Sequence, residues 1–275
     1  MTKIHDLLDI MRCLRHPENG CPWDLEQTFD SIVPHTIEET YEVADCIERQ
    51  ALEDLPGELG DLLFQIVFYA ELGREQGRFD FDDIVSVLIR KLTLRHPHVF
   101  GDAAPGDAHE QTRRWEAHKA GERKAAANTG GTLSELDGVP LGLPALTRAK
   151  KLQQRAARVG FDWPDTTGVK QKVLEEFQEV ETAVKHGSTH EVEEEIGDLL
   201  FACVNWVRHL GLEPETALRA ANAKFERRFH FIEQALADAG TTVTDASFSR
   251  MDELWESAKF GERQPKEIAD KKTGA

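Results

Sequence analysis

Glu58-Leu-Gly-Asp-Leu-Leu-Phe64 is repeated as Glu195-Ile-Gly-Asp-Leu-Leu-Phe201, 137 positions further along the chain. At the same offset Glu38-Glu39-x-x-Glu42 returns as Glu175-Glu176-x-x-Glu179. Two matches in one register make the chain a tandem duplication rather than one large domain. Working outward from these blocks, the expected organisation is a first domain at 1–123, a linker at 124–142 and a second domain at 143–275. Each copy falls in the size range that buries its own core. The stretch 120–132 is small, polar and glycine-containing, which is linker chemistry.

The full chain has 275 residues, a formal charge of −17 and 40% hydrophobic residues. No apolar run reaches the length needed to span a bilayer. The start, Met1-Thr2-Lys3-Ile4-His5-Asp6, lacks the continuous apolar stretch of a secretory signal, so a cytoplasmic location is expected. The negative balance argues against general affinity for nucleic-acid backbone, whose binding depends on cationic side chains. Cys13, Cys21, Cys46 and Cys203 show no paired spacing, which argues against a disulfide framework or a thiolate zinc site.

Glycine and proline cut the chain into segments of helical length, and alternating β-branched runs are few. The expectation is an all-α fold. In the first half helices are expected at 4–16, 32–50, 56–76, 81–96 and 108–120, with Pro97 stopping the fourth. In the second half they are expected at 143–158, 168–186, 190–210, 214–239 and 247–260. Gly187, Gly211 and Gly240 are the expected end caps, Thr189 is a candidate N-cap, and the tail from Gly261 is expected to fray.

Residues three apart on a helix share a face, so Glu39 with Glu42, and Glu58 with Asp61, each project as a pair. Two such helices joined by a short turn oppose four acids, and Glu176, Glu179, Glu195 and Asp198 repeat the arrangement. An isolated pair of this kind is ordinarily a solvated face. Here the acids recur in register beside Leu62, Leu63, Phe64, Ile66 and Val67, and beside Leu199, Leu200, Phe201 and Val204, segments too apolar for exposed helices. Alignment of Gly57 with Glu194 selects Glu195 as the site residue within its acidic run. Converging carboxylates without His or Cys suit a hard divalent cation, Mg²⁺ or alternatively Mn²⁺. A di-iron bundle would need Glu-x-x-His pairs, which these hairpins lack.

The repeat extends further: Lys91-x-x-x-Arg95 matches Lys224-x-x-x-Arg228, and Trp115 with Lys119 matches Trp255 with Lys259. Each taken singly is more simply a solvated cation pair or a packed aromatic. Combined with the acids, paired cations and an aromatic suit a metal-bound polyphosphate carrying a flat base, that is, a nucleoside di- or triphosphate.

With Cys21-Pro-Trp-Asp24, Arg95-His-Pro-His-Val-Phe100, Val159-Gly-Phe-Asp-Trp163 and Lys224-Phe-Glu-Arg-Arg228 added, the chain resembles the bacterial tandem-domain MazG nucleoside triphosphate pyrophosphohydrolases. The resemblance implies two MazG-like helical bundles, a homodimer in which a partner chain completes the site, and Mg²⁺-dependent cleavage of nucleoside triphosphates to monophosphate and pyrophosphate. It also implies that Glu176, Glu179, Glu195 and Asp198 hold metal, that Lys172, Lys224, Arg228, Trp255 and Lys259 contact the nucleotide, and that Glu175 positions water or assists a metal ligand. Glu39, Glu42, Glu58 and Asp61 then form a second, weaker metal site, because the position matching Lys172 is His35. Two other readings stay open: a nucleotide-binding regulatory helical protein without turnover, and a relative specific for dUTP or phosphoribosyl-ATP. His96 and His98 have no third ligand and are expected to play a structural part at a helix end.

Overall fold

The computed structural model describes residues 3–102, 106, 107, 110, 111, 114, 115, 121 and 134–270, with side chains as far as 262. The expected helix at 108–120, the linker and Lys119 lie largely or wholly outside the described residues. The chain divides into two compact units, Met1–Gly131 and Thr132–Ala275. The described residues contain eleven helices and no strand, and no helix among them is long and apolar enough to cross a membrane.

In the first unit the helices are α1 (Lys3–Leu14), α2 (Pro22–Glu26), α3 (Phe29–Glu48), α4 (Leu55–Glu75), α5 (Phe81–Arg95) and α6 (Pro97–Phe100). Helix α3 begins three residues before the expected position because Thr28 and Ser31 form a reciprocal capping box, which leaves Pro34 inside the helix. Asp80 and Asp83 cap α5 in the same way. Helices α3 and α4 form a hairpin, and α1 and α5 both pack on α4. Their apolar stripes meet in a core of Met11, Ile32, Val67, Phe68 and Leu72. At its edge Arg15 lies over the Phe68 ring and grips Glu75 at 2.8 and 2.9 Å. His96 caps the end of α5 and its Nδ1 lies 2.8 Å from the Leu92 carbonyl, the structural part expected of it.

In the second unit the helices are α7 (Ala145–Arg158), α8 (Thr166–His186), α9 (Thr189–His209), α10 (Pro214–Asp238) and α11 (Phe248–Asp270). Helices α8 and α9 form the matching hairpin, α7 packs on α9 and α10, and α11 packs on α10. The N-cap of α9 is Ser188, not Thr189: the Ser188 hydroxyl and the Glu191 carboxylate bond each other's backbone N–H groups, so the box sits one residue earlier. Gly211 and Gly240 follow their helices with φ of +74° and +73°, the left-handed C′ position of a glycine cap. Gly187 closes α8 in extended backbone instead. The expected frayed tail is corrected as well, since α11 runs to Asp270; Glu, Arg, Gln and Lys propagate helix without an apolar face.

Both carboxylate hairpins leave much apolar surface uncovered. Leu63, Ile66, Leu200 and Phe201, expected to be buried, are exposed, while Val67 and Val204 beside them are buried. Leu174 and Phe177 on α8 are each more than half exposed.

Candidate functional site

Each hairpin brings acids together across its two helices. In the first unit Glu39 from α3 and Glu58 and Asp61 from α4 place carboxylate oxygens within 4.8 Å of one another. Glu42 lies outside that trio. Burial, foremost, and repulsion from Glu42 and Asp61 push the Glu39 carboxyl above its ordinary range. Behind Glu39 stands Gln65, 6% exposed, whose Nε2 lies 3.5 Å from Glu39 Oε1 and whose own Oε1 has no partner. Comparison of the repeats hid this residue, because its counterpart is Ala202.

In the second unit the trio is Glu176 and Glu179 from α8 with Glu195 from α9, again within 4.8 Å. Glu176 is 5% exposed, at the floor of the cluster. Asp198 is exposed and stands outside the trio. Four carboxylates were expected in each set; three converge in each, and a different one is left out each time. The two sets also differ in their local cation. The Lys172 ammonium, one helical turn before Glu176, lies 2.7 Å from both Glu175 and Glu176 and 3.9 Å from Glu179. Hydrogen bonds to Glu175 and Glu176 hold that ammonium protonated well above the ordinary lysine range. Glu179 is raised, chiefly by burial, with Lys172 opposing and Glu176 and Glu195 reinforcing. In the first unit His35 instead packs edge-on against Trp23 and reaches only Glu38, at 3.8 Å.

The basic and aromatic set gathers on α10 and α11. The Arg228 guanidinium lies 5.3 Å from the Trp255 ring centre, and Phe225 packs on the same ring at 5.4 Å. Glu262 binds Arg228 at 2.7 and 3.0 Å and lies 3.8 Å from Arg227. Lys259 pairs with Glu256 at 2.6 Å, and Lys224 is exposed. Trp255 therefore does double service as a partner of the Ile232, Leu236 and Leu254 core and as a cation–π platform. The grip of Glu262 was not anticipated, although Gly-Glu-Arg after the tryptophan recurs in both halves.

Both trios offer only carboxylate oxygens, mutually repelling and close enough to share one cation. That donor chemistry fits a hard divalent ion and not zinc or copper. The second trio already accommodates a positive charge, the ammonium of Lys172.

Comparison with known proteins points the same way. Residues 27–100 and 165–231 match the MazG nucleotide pyrophosphohydrolase domain, once in each unit and across each carboxylate hairpin. The chain is 51% identical over 261 residues to the nucleoside triphosphate pyrophosphohydrolase of Escherichia coli, covering 94% of this chain and 98% of that one. It is 41% identical over 257 residues to a Thermotoga maritima protein named nucleoside triphosphate pyrophosphohydrolase/pyrophosphatase MazG, covering 94% and 96%. A Mycobacterium tuberculosis nucleoside triphosphate pyrophosphohydrolase is 37% identical over 159 residues, 56% of this chain and 46% of that one.

Proposed function

The chain belongs to the MazG nucleotide pyrophosphohydrolase domain family, and from that premise we propose that it hydrolyses nucleoside triphosphates to monophosphate and pyrophosphate with Mg²⁺. Mn²⁺ is the alternative ion. The observation that carries the reading is the convergence of Glu176, Glu179 and Glu195 within 4.8 Å beneath a lysine ammonium. These three, with Asp198, would hold the ion, which when bound would neutralise triphosphate charge and lower the pKa of water there.

The chain's own residues do the rest. Glu175 positions the attacking water, and Glu176 and Glu179 share metal binding with control of local protonation. Water adds in line at the α-phosphorus, the bond to the bridging oxygen breaks, and pyrophosphate leaves. Lys172 turns from the acids to the phosphates, and Lys224, Arg228 and Lys259 stabilise charge on the leaving group, with Trp255 backing Arg228 against the nucleotide. Arg228 must exchange Glu262 for phosphate to do so.

In this reading the domains are 1–123 and 143–275, joined by a linker at 124–142, and the main activity belongs to the second. The first, with Glu39, Glu42, Glu58 and Asp61, is a weaker metal site lacking a lysine equivalent to Lys172. The uncovered apolar faces of the hairpins support a homodimer in which the partner chain closes the site, in a cytoplasmic enzyme acting on free nucleotides. Product analysis with ATP and other triphosphates in Mg²⁺ tests the reading. Pyrophosphate and monophosphate in equal amounts support it; orthophosphate, or binding without any product, overturns it.

A further inference from the structure

Lys224, Arg227 and Arg228 crowd one turn of α10, and a single carboxylate, that of Glu262 on α11, sits in the field of all three. Glu262 belongs to Gly-Glu-Arg, the tripeptide that recurs after the tryptophan in both halves, and the chemistry above only displaces it. Its Oε2 accepts from Arg228 Nε at 3.0 Å and from Arg228 Nη2 at 2.7 Å, while its Oε1 lies 3.8 Å from Arg227 Nη2. The hydrogen bonds from Arg228 foremost, with the charges of Arg228, Arg227 and Lys224 and against partial desolvation, hold the Glu262 carboxyl below its ordinary range. The group is therefore an anion throughout the neutral range.

The arginine is the better anchored of the two partners. Its side chain is 16% exposed against 36% for Glu262, and its guanidinium lies 5.3 Å from the centre of the Trp255 ring, which packs on the α10–α11 core. Glu262 stands on the exposed side of α11 beside a cavity of about 330 Å³, whose α11 wall is made by Ser257, Ala258 and Gly261. Small side chains on that wall leave the carboxylate room to swing clear without moving either helix. The carboxylate is thus the partner able to leave, and the guanidinium the one that stays.

A guanidinium grips a carboxylate and a phosphate through the same fork of N–H groups. Glu262 and a phosphate therefore compete for one group. We propose that Glu262 is a built-in competitor for Arg228: it keeps the guanidinium aligned on Trp255, yields it to the pyrophosphate portion of the triphosphate, and takes it back as pyrophosphate leaves. This rests on the function proposed above, in which Arg228 serves the leaving group. Substrate and pyrophosphate are weakened by the same factor, because each must break the same ion pair. The nucleoside monophosphate is not weakened, since it carries none of the phosphates that Arg228 serves. A returning carboxylate also releases pyrophosphate faster than Arg228 alone would.

Glu262→Gln in the full chain keeps the shape of the side chain and removes its charge at an exposed position, so the fold persists, as circular dichroism checks. In steady-state turnover of ATP with Mg²⁺, kcat/KM should rise about fivefold, the upper end of what a partly exposed ion pair is worth. The inhibition constant of inorganic pyrophosphate should fall by the same factor, and that of AMP should not change. Glu253→Gln, which removes an equal charge from α11 at its pair with Arg250, should alter none of the three. An unchanged or lowered kcat/KM in Glu262→Gln overturns the proposal, a fall meaning that the carboxylate only orients Arg228. Equal tightening of AMP, or an equal effect of Glu253→Gln, overturns it too, since a general loss of negative charge acts on every anion. Titration calorimetry of pyrophosphate with Mg²⁺ reads the competition without turnover. If the unaltered protein releases no pyrophosphate from ATP, the function reading fails by itself, and about fivefold tighter pyrophosphate binding in Glu262→Gln still upholds the competitor; equal binding overturns it.

Discussion

Removing one oxygen donor from the floor of the second trio should abolish that unit's response to Mg²⁺ while leaving the first unit's intact. Glu176 is the residue to change, because it is buried and touches both Lys172 and the trio. A metal present at a hundred times its Kd stabilises the folded state by about 2.7 kcal/mol. For a unit the size of Thr132–Ala275, each kcal/mol moves the melting point by roughly 3–5 °C, so saturating Mg²⁺ should raise it by about 10 °C. In Glu176→Gln the loss of one carboxylate should weaken binding by about 100-fold, the upper end of what losing even an outer-shell partner costs. At the same Mg²⁺ concentration the ratio of metal to Kd is then about one, leaving roughly 0.4 kcal/mol and a shift of about 1–2 °C. The cost of the substitution without metal stays within about 2 kcal/mol, because the neutral amide still accepts from Lys172. Differential scanning calorimetry with and without Mg²⁺ separates the transitions, and Glu39→Gln provides the mirror experiment in the first unit. A full Mg²⁺ shift in Glu176→Gln, or none in the unaltered protein, would refute the assignment of these acids.

Glu179→Gln should remove at least about 99% of pyrophosphate release and Glu42→Gln less than about half, in line with losing a transition-state contact at one position only; equal losses overturn the ranking of the two units. Lys172→Met leaves Glu175 and Glu176 without their ammonium, so the metal-free protein should melt lower while Mg²⁺, measured by calorimetric titration, binds more tightly; weaker Mg²⁺ binding contradicts the placement. For Asp162 burial alone would raise the carboxyl, but hydrogen bonds from Arg208 and His209 outweigh it and hold it below the usual range. A depressed carboxyl contributes stability above its unfolded pKa, about 3.9, that is lost as pH falls through the folded value. Asp162→Asn should therefore cost about 2 kcal/mol at pH 7, and urea unfolding should show the gap from the unaltered protein narrowing below about pH 4; a constant gap excludes the linkage.

The architecture was largely legible because its signals are periodic. Long amphipathic helices bounded by glycine and proline, a duplicated Glu-x-x-Asp spacing, and acids beside Val67 and Val204 all state their positions locally. Helices α2 and α6, at five and four residues, are too short to show a period. Caps shifted where a neighbouring side chain completed a reciprocal box, as at Ser188 and Thr28. That the acids of each hairpin come together was legible; which three converge was not. Helical spacing alone does not show that Glu42 and Asp198 stand outside the trios, nor that Gln65 lies behind Glu39 in one half only. The grip of Glu262 on Arg228 was hidden for another reason. The two lie 34 residues apart, and only the packing of α11 on α10 brings them together.

Lys172 has one consequence for how the protein meets its solutes. A cation tethered to the backbone cannot be dialysed away, so the acidic pocket keeps a counterion at fixed effective concentration whatever the surrounding salt. An incoming ion must displace that resident, and the displaced ammonium is stabilised only when something anionic arrives to receive it. Metal and triphosphate then bind best as a pair, each raising the affinity for the other by the same factor. A divalent ion arriving without nucleotide has to compete with that resident, and so binds more weakly than it does beside a triphosphate.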